Sequence, residues 1–455
     1  MHRVKTGLIG GCLCLLLLSA VAAQDRPNVL FIAVDDLNHW IGHLRRNPQT
    51  ITPALDRLAG WGVSFERAYC AAPACNPSRA ALMSGMRPST TGVYHNANDY
   101  RPHIAVEQTL NSHFRAQGYR VTGAGKIYHG TFGQREEWDD YHRRPRVPSQ
   151  GAYSKSDFNG VRWSVLKGDD DVVGDYFTVN YCIDQLQQAD RTQPFFLACG
   201  IFRPHMPWSV PKKYFDQHPL ADIQLPPFRE DDLEDVPEAG VKTARPGGDH
   251  RAIREAGAWK QAIQAYLASV TYADAQLGRL LDALQASAHF ENTIVVLWGD
   301  HGWHLGEKHH WRKFALWEEA TRAPLIWKVP GVTPAGQLCG RTVDFMSIYP
   351  TLCELTGLPV PDHVEGRSLV PLLHNPQADW PHHAITTHGR HRHAARSERW
   401  RYIRYEDGTE ELYDHSQDPY EWTNLAADPR YADVKAKHAR SFPTVNRPEV
   451  ARPAK

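Results

Sequence analysis

The residues with the most chemistry in them are Cys75, Pro77, Ser78 and Arg79, in the stretch Ala74-Cys75-Asn76-Pro77-Ser78-Arg79-Ala80-Ala81-Leu82-Met83-Ser84-Gly85. Proline is tolerated in the first turn of a helix, where its missing N–H would go unpaired anyway. Position 75 is therefore expected at or just before a helix N-terminus, with free amides and the positive end of the helix dipole facing a bound anion. Arg79, one turn on, returns to the same side and can hold a negative oxygen in its planar fork. An isolated cysteine beside an arginine is usually structural. Here the spacing, and the groups that follow, favour a nucleophile.

Those groups lie at the ends of apolar runs. Residues 29–34 are continuously apolar, as in a central strand buried on both faces, and the run ends on Asp35-Asp36. Two adjacent carboxylates at such a strand end are costly unless something positive sits between them, and that edge is where open α/β sheets bind ligands. Residues 293–298 read as a second buried strand, ending near Asp300-His301. Three carboxylates make an oxygen-rich set that suits calcium or magnesium better than zinc. His301 could ligate that ion or orient the nucleophile.

A strand over 119–123 delivers Gly125-Lys126-Ile127-Tyr128-His129-Gly130, whose glycines would let backbone come close to a ligand. A strand over 195–200 leads to Arg203-Pro204-His205-Met206-Pro207-Trp208, where prolines on both sides fix the loop that presents His205. Taken alone, His205 is as well read as a structural histidine. Trp303 and Trp311 could wall a sugar or simply pack.

Further elements support this frame. Thr52 is a plausible N-cap and Pro53 the first residue of a helix through Leu55 and Leu58; 63–69 reads as a strand, and 107–117 and 175–188 as helices. A long helix over 259–284 carries Ile263, Leu267, Val270, Leu277, Leu280 and Leu281 at helical spacing, a core stripe. A strand over 324–328 and an amphipathic helix over 344–356 follow. The stretches 145–172 and 224–256 are polar or rich in Pro and Gly, and read as surface excursions. Beyond Trp380, short strands (384–387, 401–405) alternate with turns. The expected layout is a signal peptide over 1–23, a catalytic α/β domain over 24–379, a small antiparallel α+β subdomain over 380–440 and a flexible tail over 441–455.

Composition narrows the class. At 455 residues the chain exceeds the usual single domain. Its 51 basic and 51 acidic side chains balance, which argues against a nucleic-acid binder. His2, Arg3 and Lys5 ahead of an apolar run from Leu8 to Leu18, with Ala20-Val21-Ala22 after it, read as a cleaved secretory signal, and no later stretch is long and apolar enough to span a bilayer. A lipobox reading at Ile9-Gly10-Gly11-Cys12 is weaker, because almost no apolar segment precedes that cysteine. The expected location is secreted or periplasmic. Without Cys12, Cys14 and a converted Cys75, five cysteines remain, so at least one stays free or pairs with another chain.

The Cys75 stretch resembles the signature of the type I sulfatases, in which Cys-x-Pro-Ser-Arg, then an apolar residue and Ser/Thr-Gly, directs oxidation of the cysteine to formylglycine. Family members usually have Leu-Thr-Gly where this chain has Met83-Ser84-Gly85. The resemblance runs from about residue 26 to 425, with its motifs in the family's order. It implies an alkaline-phosphatase-like α/β fold, a mixed sheet flanked by helices. It also implies a metal site of Asp35, Asp36, formylglycine at Cys75, Asp300 and His301, and catalytic residues Cys75, Arg79, Lys126, His129, His205 and Lys313. In that reading Lys126 and Lys313 hold sulfate oxygens, His129 handles the formylglycine hydroxyl proton, and His205 or Lys313 protonates the leaving oxygen.

Within the family the resemblance is closest to the iduronate-2-sulfatase group, through Gly125 to Gly130, Arg203 to Trp208 and Asp300-His301-Gly302-Trp303-His304-Leu305-Gly306-Glu307. It implies calcium or magnesium as cofactor, a maturase that makes formylglycine, and a sulfated sugar of a glycosaminoglycan as substrate. A sulfated algal polysaccharide (ulvan, fucoidan or carrageenan) is the nearest alternative. A phosphatase or phosphonate hydrolase of the same superfamily and a non-catalytic glycan-binding protein rank below it.

Overall fold

The computed structural model describes residues 26–148 and 150–451, so the expected signal peptide and lipobox lie outside the described residues. Apolar runs with no polar face are stable only in a sheet covered on both sides. Eight strands form that sheet: β1 (Asn28–Val34), β2 (Val63–Tyr69), β3 (Arg120–Gly125), β4 (Asp140–His142), β5 (Phe195–Ile201), β6 (Thr293–Gly299), β7 (Leu325–Lys328) and β8 (Gln337–Asp344). Their order is β8-β2-β7-β6-β1-β5-β3-β4. Only β7 runs antiparallel to its neighbours. The carboxyl ends of β1, β2, β3, β5 and β6 therefore share one edge. Along β1 the side chains alternate, with Leu30, Ile32 and Val34 entering one apolar layer and Val29, Phe31 and Ala33 the other.

Helices α1 (Pro53–Gly60), α2 (Cys75–Ser84), α3 (Gly174–Gln188) and α4 (Trp259–Ala286) carry the rest of the frame. The expected stripe of α4 is buried throughout, against α1 and α3. One acid on that helix is a cap. Asp274 accepts hydrogen bonds from the amides of Ala54 (2.9 Å) and Leu55 (2.8 Å) at the start of α1. Thr52, expected to cap this helix, makes no such bond and instead accepts from the Gly42 amide at 2.8 Å. Burial drives the Asp274 carboxyl up to about 7, against the pull of the two amides. Asp274→Ala is expected to cost about 1–2 kcal/mol, the scale of a lost N-cap, and Asp274→Asn, which keeps an acceptor, less. Thermal melting of the two variants checks this.

Several expectations need correction. The stretch 145–172 is not a plain excursion: it contains a hairpin of Ala152–Phe158 and Val161–Leu166, whose second strand pairs with Trp208–Pro211. The stretch 224–256 includes helices Glu238–Ala244 and Asp249–Glu255. The helix expected over 107–117 is broken at Thr109, which is extended (ψ 146°) between a turn at Val106–Gln108 and a helix at Leu110–Ala116. Residues 442–451, part of the tail expected to be flexible, return to the catalytic domain. There the amides of Arg447 and Val450 donate to Ser89 O (2.9 Å) and Gly92 O (3.0 Å), and the Val450 side chain is buried.

The C-terminal region forms a four-stranded antiparallel meander, Ala384–Thr387, His393–Arg396, Trp400–Arg404 and Glu410–Asp414. Its first strand supports the segment between β2 and Cys75: Thr386 Oγ1 donates to Cys70 O (2.7 Å) and the Thr387 amide to Ala71 O (2.9 Å). The six described cysteines are buried and unbridged. Among the described residues no helix is long and apolar enough to cross a membrane.

Candidate active site

Cys75 is the first residue of α2 and is buried. The helix end offers fewer amides than the sequence suggests, because Pro77 has none and the Asn76 amide donates to Asn96 Oδ1 (2.9 Å). Positive side chains surround the thiol instead. Lys313 Nζ lies 3.2 Å from Sγ and His301 Nε2 3.3 Å. Burial alone would raise the Cys75 pKa, but Lys126, Lys313 and His301, with a hydrogen bond from His129, hold it well below the ordinary thiol range.

The carboxylates stand where the strands end. Asp35 and Asp36 follow β1, and Asp300 follows β6, the strand beside it. Asp36 adopts a left-handed backbone (φ 59°), which an aspartate tolerates better than most residues, and its amide donates to Asp300 Oδ1 (3.0 Å). Tyr266, on the buried stripe of α4, locks this turn by donating to Asp36 O (3.0 Å) while accepting from the Asn38 amide (3.0 Å). Sequence reasoning assigned that stripe to packing and so missed Tyr266. Its only signal is a hydroxyl among aliphatic residues.

Arg79 plays a different part from the one expected. Its Nε donates to Asp300 Oδ2 (2.9 Å), Nη2 to Asp35 Oδ1 (3.2 Å), and Nη1 to Lys126 O and Ile127 O. The guanidinium thus ties together the ends of β1, β3 and β6, with its donors turned to protein. Lys126 Nζ pairs with Asp35 Oδ2, and Lys313 Nζ with Asp36 Oδ1 at 2.6 Å. Against burial, Lys126 above all keeps Asp35 below the usual carboxylate range. Asp300, desolvated and only partly offset by His301 and Arg79, rises to about 7.

Gly125 serves the scaffold rather than a ligand. At φ 83° it lies against β5, where a Cβ would meet Gly200 O at 2.0 Å, and this close approach sets Lys126 at the site. His205 hydrogen-bonds Met206 O through Nδ1 (2.6 Å), which leaves Nε2 facing Asp36 Oδ2 at 3.9 Å. Phe202 was not anticipated: its ring lies 5.3 Å from Lys126 Nζ and 4.6 Å from the His205 ring. His129 joins Lys126 and His205 on the wall of a cavity of about 550 Å³. Trp303 and Trp311 are buried packing residues; Trp303 also carries Lys313 Nζ 5.0 Å from its ring.

Asp35, Asp36, Cys75, Arg79, Lys126, His205, Asp300, His301 and Lys313 therefore meet at one place. Ligand atoms of Asp36, Cys75 and His301, of Asp35, Asp36 and His205, and of Asp35, Cys75 and Asp300 lie within 4.8 Å of one another. Asp36 Oδ2 is buried with no hydrogen-bond partner. An oxygen-rich cluster with one orphaned carboxylate oxygen fits a hard divalent cation.

A mixed α/β sheet with buried carboxylates at the ends of adjacent strands and a cysteine at a helix N-terminus beside them defines a hydrolase of the alkaline-phosphatase-like class. Residues 27–358 match the Sulfatase family, and 306–447 match the C-terminal region of N-sulphoglucosamine sulphohydrolase. The chain belongs to the sulfatase family, and its activity is that of a sulfuric ester hydrolase. A sulfatase of Formosa agariphila is 42% identical over 431 residues, covering 88% of this chain and 83% of its own. Iduronate 2-sulfatase of Mus musculus is 30% identical, covering 79% and 74%. A phosphonate monoester hydrolase of Agrobacterium radiobacter superposes with a TM-score of 0.78 at 23% identity over 91% and 94% of the two chains, a likeness of fold alone.

Proposed function

We propose that this is an exported sulfatase, secreted or periplasmic, that removes a sulfate ester from a sulfated uronic acid unit of a glycosaminoglycan-like saccharide after Cys75 is oxidised to formylglycine by a maturase. The observation that carries the reading is the position of Cys75 Sγ, buried 3.2 Å from Lys313 Nζ and 3.3 Å from His301 Nε2 within the carboxylate cluster. The likeness to iduronate 2-sulfatase supports the uronic acid.

Formylglycine at position 75, once hydrated, would supply a hydroxyl nucleophile and a second hydroxyl through which the aldehyde could re-form. Asp35, Asp36, Asp300 and His301 would hold a calcium ion, or magnesium in its place, which would supply positive charge for the sulfate oxygens. The remaining work falls to the chain's own groups. Lys126 and Lys313 bring fixed positive charge to the same oxygens in a buried site, where such charge is worth most. Lys313 Nζ, 2.6 Å from Asp36 Oδ1 and 3.2 Å from Cys75 Sγ, stands beside the nucleophile and is assigned to anion binding. His205, with Nδ1 fixed on Met206 O, presents Nε2 and is assigned the proton for the departing sugar oxygen. His129, beside the nucleophile, takes the hydroxyl proton that precedes sulfate release. Arg79 positions the carboxylates.

Sulfate release from a 2-O-sulfated uronate disaccharide, an ulvan oligosaccharide and an aryl sulfate, beside phosphate release from an aryl phosphate, tests this reading. The uronate is expected to exceed the others in kcat/KM by at least roughly 100-fold, a margin that buried polar recognition can supply. Faster turnover of the phosphate ester would overturn it.

Calcium is expected to raise the melting temperature. Saturation at about 100 times the Kd adds ~2.7 kcal/mol, and Asp36→Asn should remove most of that shift. A metal-independent melt of the wild type would contradict the assigned ligands.

A further inference from the structure

The cavity that Lys126, His129 and His205 enter has a second, unexplained set of cations. Arg135, Arg143, Arg144 and Arg146 line it, and no Asp or Glu does. This is unusual for a chain whose acidic and basic residues balance at 51 each. The topology accounts for its place: β4 is the edge strand beside β3 and parallel to it, so the chain leaving β4 emerges at the same edge as Lys126. Arg135 donates to Trp138 O (2.7 Å) and Asp139 O (3.1 Å). By contrast, among the described residues no carboxylate lies within ion-pair distance of Arg143, Arg144 or Arg146.

Phe202 joins this cluster to the reaction centre. The Arg144 guanidinium carbon lies 4.0 Å from the centroid of that ring, the same ring that carries Lys126 Nζ at 5.3 Å and the His205 imidazole at 4.6 Å. One aromatic platform thus sets an arginine fork next to the lysine at the sulfate site. Arg143 and Arg146 are exposed and Arg144 is half-buried, and like charges lining one wall of a cavity give it a positive potential that favours an anionic ligand. Guanidinium forks match sulfate and carboxylate oxygens in pairs. A cavity of about 550 Å³ is in the usual range for ligands larger than a single sulfate.

We propose that Arg143, Arg144 and Arg146 form a subsite for a second acidic group, sulfate or carboxylate, on the sugar adjoining the one that loses its sulfate. The preferred substrate is then an oligosaccharide with an acidic group on the neighbouring sugar, beyond the sulfate and carboxylate of the uronate itself, and these arginines set that preference. The proposal rests on the sulfatase reading above for the identity of the first group.

Two measurements on the Arg144→Gln/Arg146→Gln protein test it, with melting temperature as the check on folding. The first is the ratio of kcat/KM for a disulfated uronate disaccharide to that for the same disaccharide sulfated on the uronate alone. The ratio is expected to fall about 10–100-fold, mainly through KM, as two charge-assisted contacts are lost, and Arg144→Lys should recover part of it. An unchanged ratio would overturn the subsite. The second measurement needs no turnover: calorimetric binding of a fully sulfated heparin tetrasaccharide to Cys75→Ala protein with and without the arginine substitutions. A Kd raised at least 10-fold by the substitutions supports the subsite even if no sulfate ester is hydrolysed, an outcome that would count against the sulfatase reading alone. Equal Kd values overturn the subsite whatever the activity.

Discussion

Cys75→Ala protein is expected to fold and to release sulfate more slowly than the mature enzyme by on the order of 10⁴–10⁶-fold, the scale seen when a nucleophile is removed from an intact site. Folding should survive because the surrounding ion pairs do not need the thiol. Lys313 keeps Asp36 at 2.6 Å, and Arg79 keeps both Asp35 and Asp300. Enzyme produced without the oxidising machinery should be nearly as inactive. Against burial, Lys126, Lys313 and His301 lower the pKa of its thiol, which favours a nucleophile, so nucleophilicity is not what it lacks. A thiolate, or the hydroxyl of Cys75→Ser, has no second hydroxyl with which to let sulfate go. Melting curves together with sulfate release by the three proteins check this, and Cys75→Ser turning over at the rate of mature enzyme would refute it.

Arg401→Ala should have the largest effect on stability. Arg401 lies on the third strand of the C-terminal sheet and is fully buried. Its Nη2 donates to Glu318 Oε2 (2.5 Å), Nη1 to Leu316 O (2.9 Å), and Nε pairs with Glu421 Oε1 (2.5 Å). Glu318 in turn accepts from Tyr69 at the end of β2 (3.0 Å) and from Arg396 (3.2 Å). Deleting one partner leaves buried carboxylates undercompensated, at a cost of about 3–5 kcal/mol. Because the same subdomain holds Cys70 and Ala71 through Thr386 and Thr387, activity should fall with the melting temperature.

The cluster also predicts a pH dependence. Burial would raise the Glu421 carboxyl, but Arg401 and His415 bring it down to about 2, and Arg396, His415 and Arg401 likewise hold Glu318 well below its ordinary value. A depressed acid stabilises the fold above its unfolded pKa of about 4.3, and that stability is lost as pH falls toward the folded values. Wild-type stability should decline between about pH 4 and 2, and Arg401→Ala should flatten that decline.

The sheet was legible because its central strands are apolar on both faces, a pattern few other environments tolerate. The site was legible because its groups sit directly on those strand ends: Asp35 one residue beyond β1, Lys126 one beyond β3, Asp300 one beyond β6. Failures cluster where a residue's partner is remote in sequence. Asp274 caps a helix 220 residues earlier, Arg79 spends its donors on Asp300, and the Arg401 network joins segments from β2 to Glu421. The hairpin within 145–172 escaped notice because most of Ala152–Phe158 faces solvent and its composition is polar. Prolines after residue 441 suggested disorder, while the partners that fix residues 446–451 to the rest of the fold are remote in sequence: backbone groups of residues 89 and 92 and the side chains of Tyr94, Asn98, Arg390 and His393.

The most direct test of the central claim is the mass of the peptide containing Cys75, isolated from active protein made in its own host or beside a maturase. Loss of the thiol and gain of an aldehyde, in proportion to specific activity across preparations, is the expected result. Full sulfate release by protein whose Cys75 remains an intact thiol would contradict it.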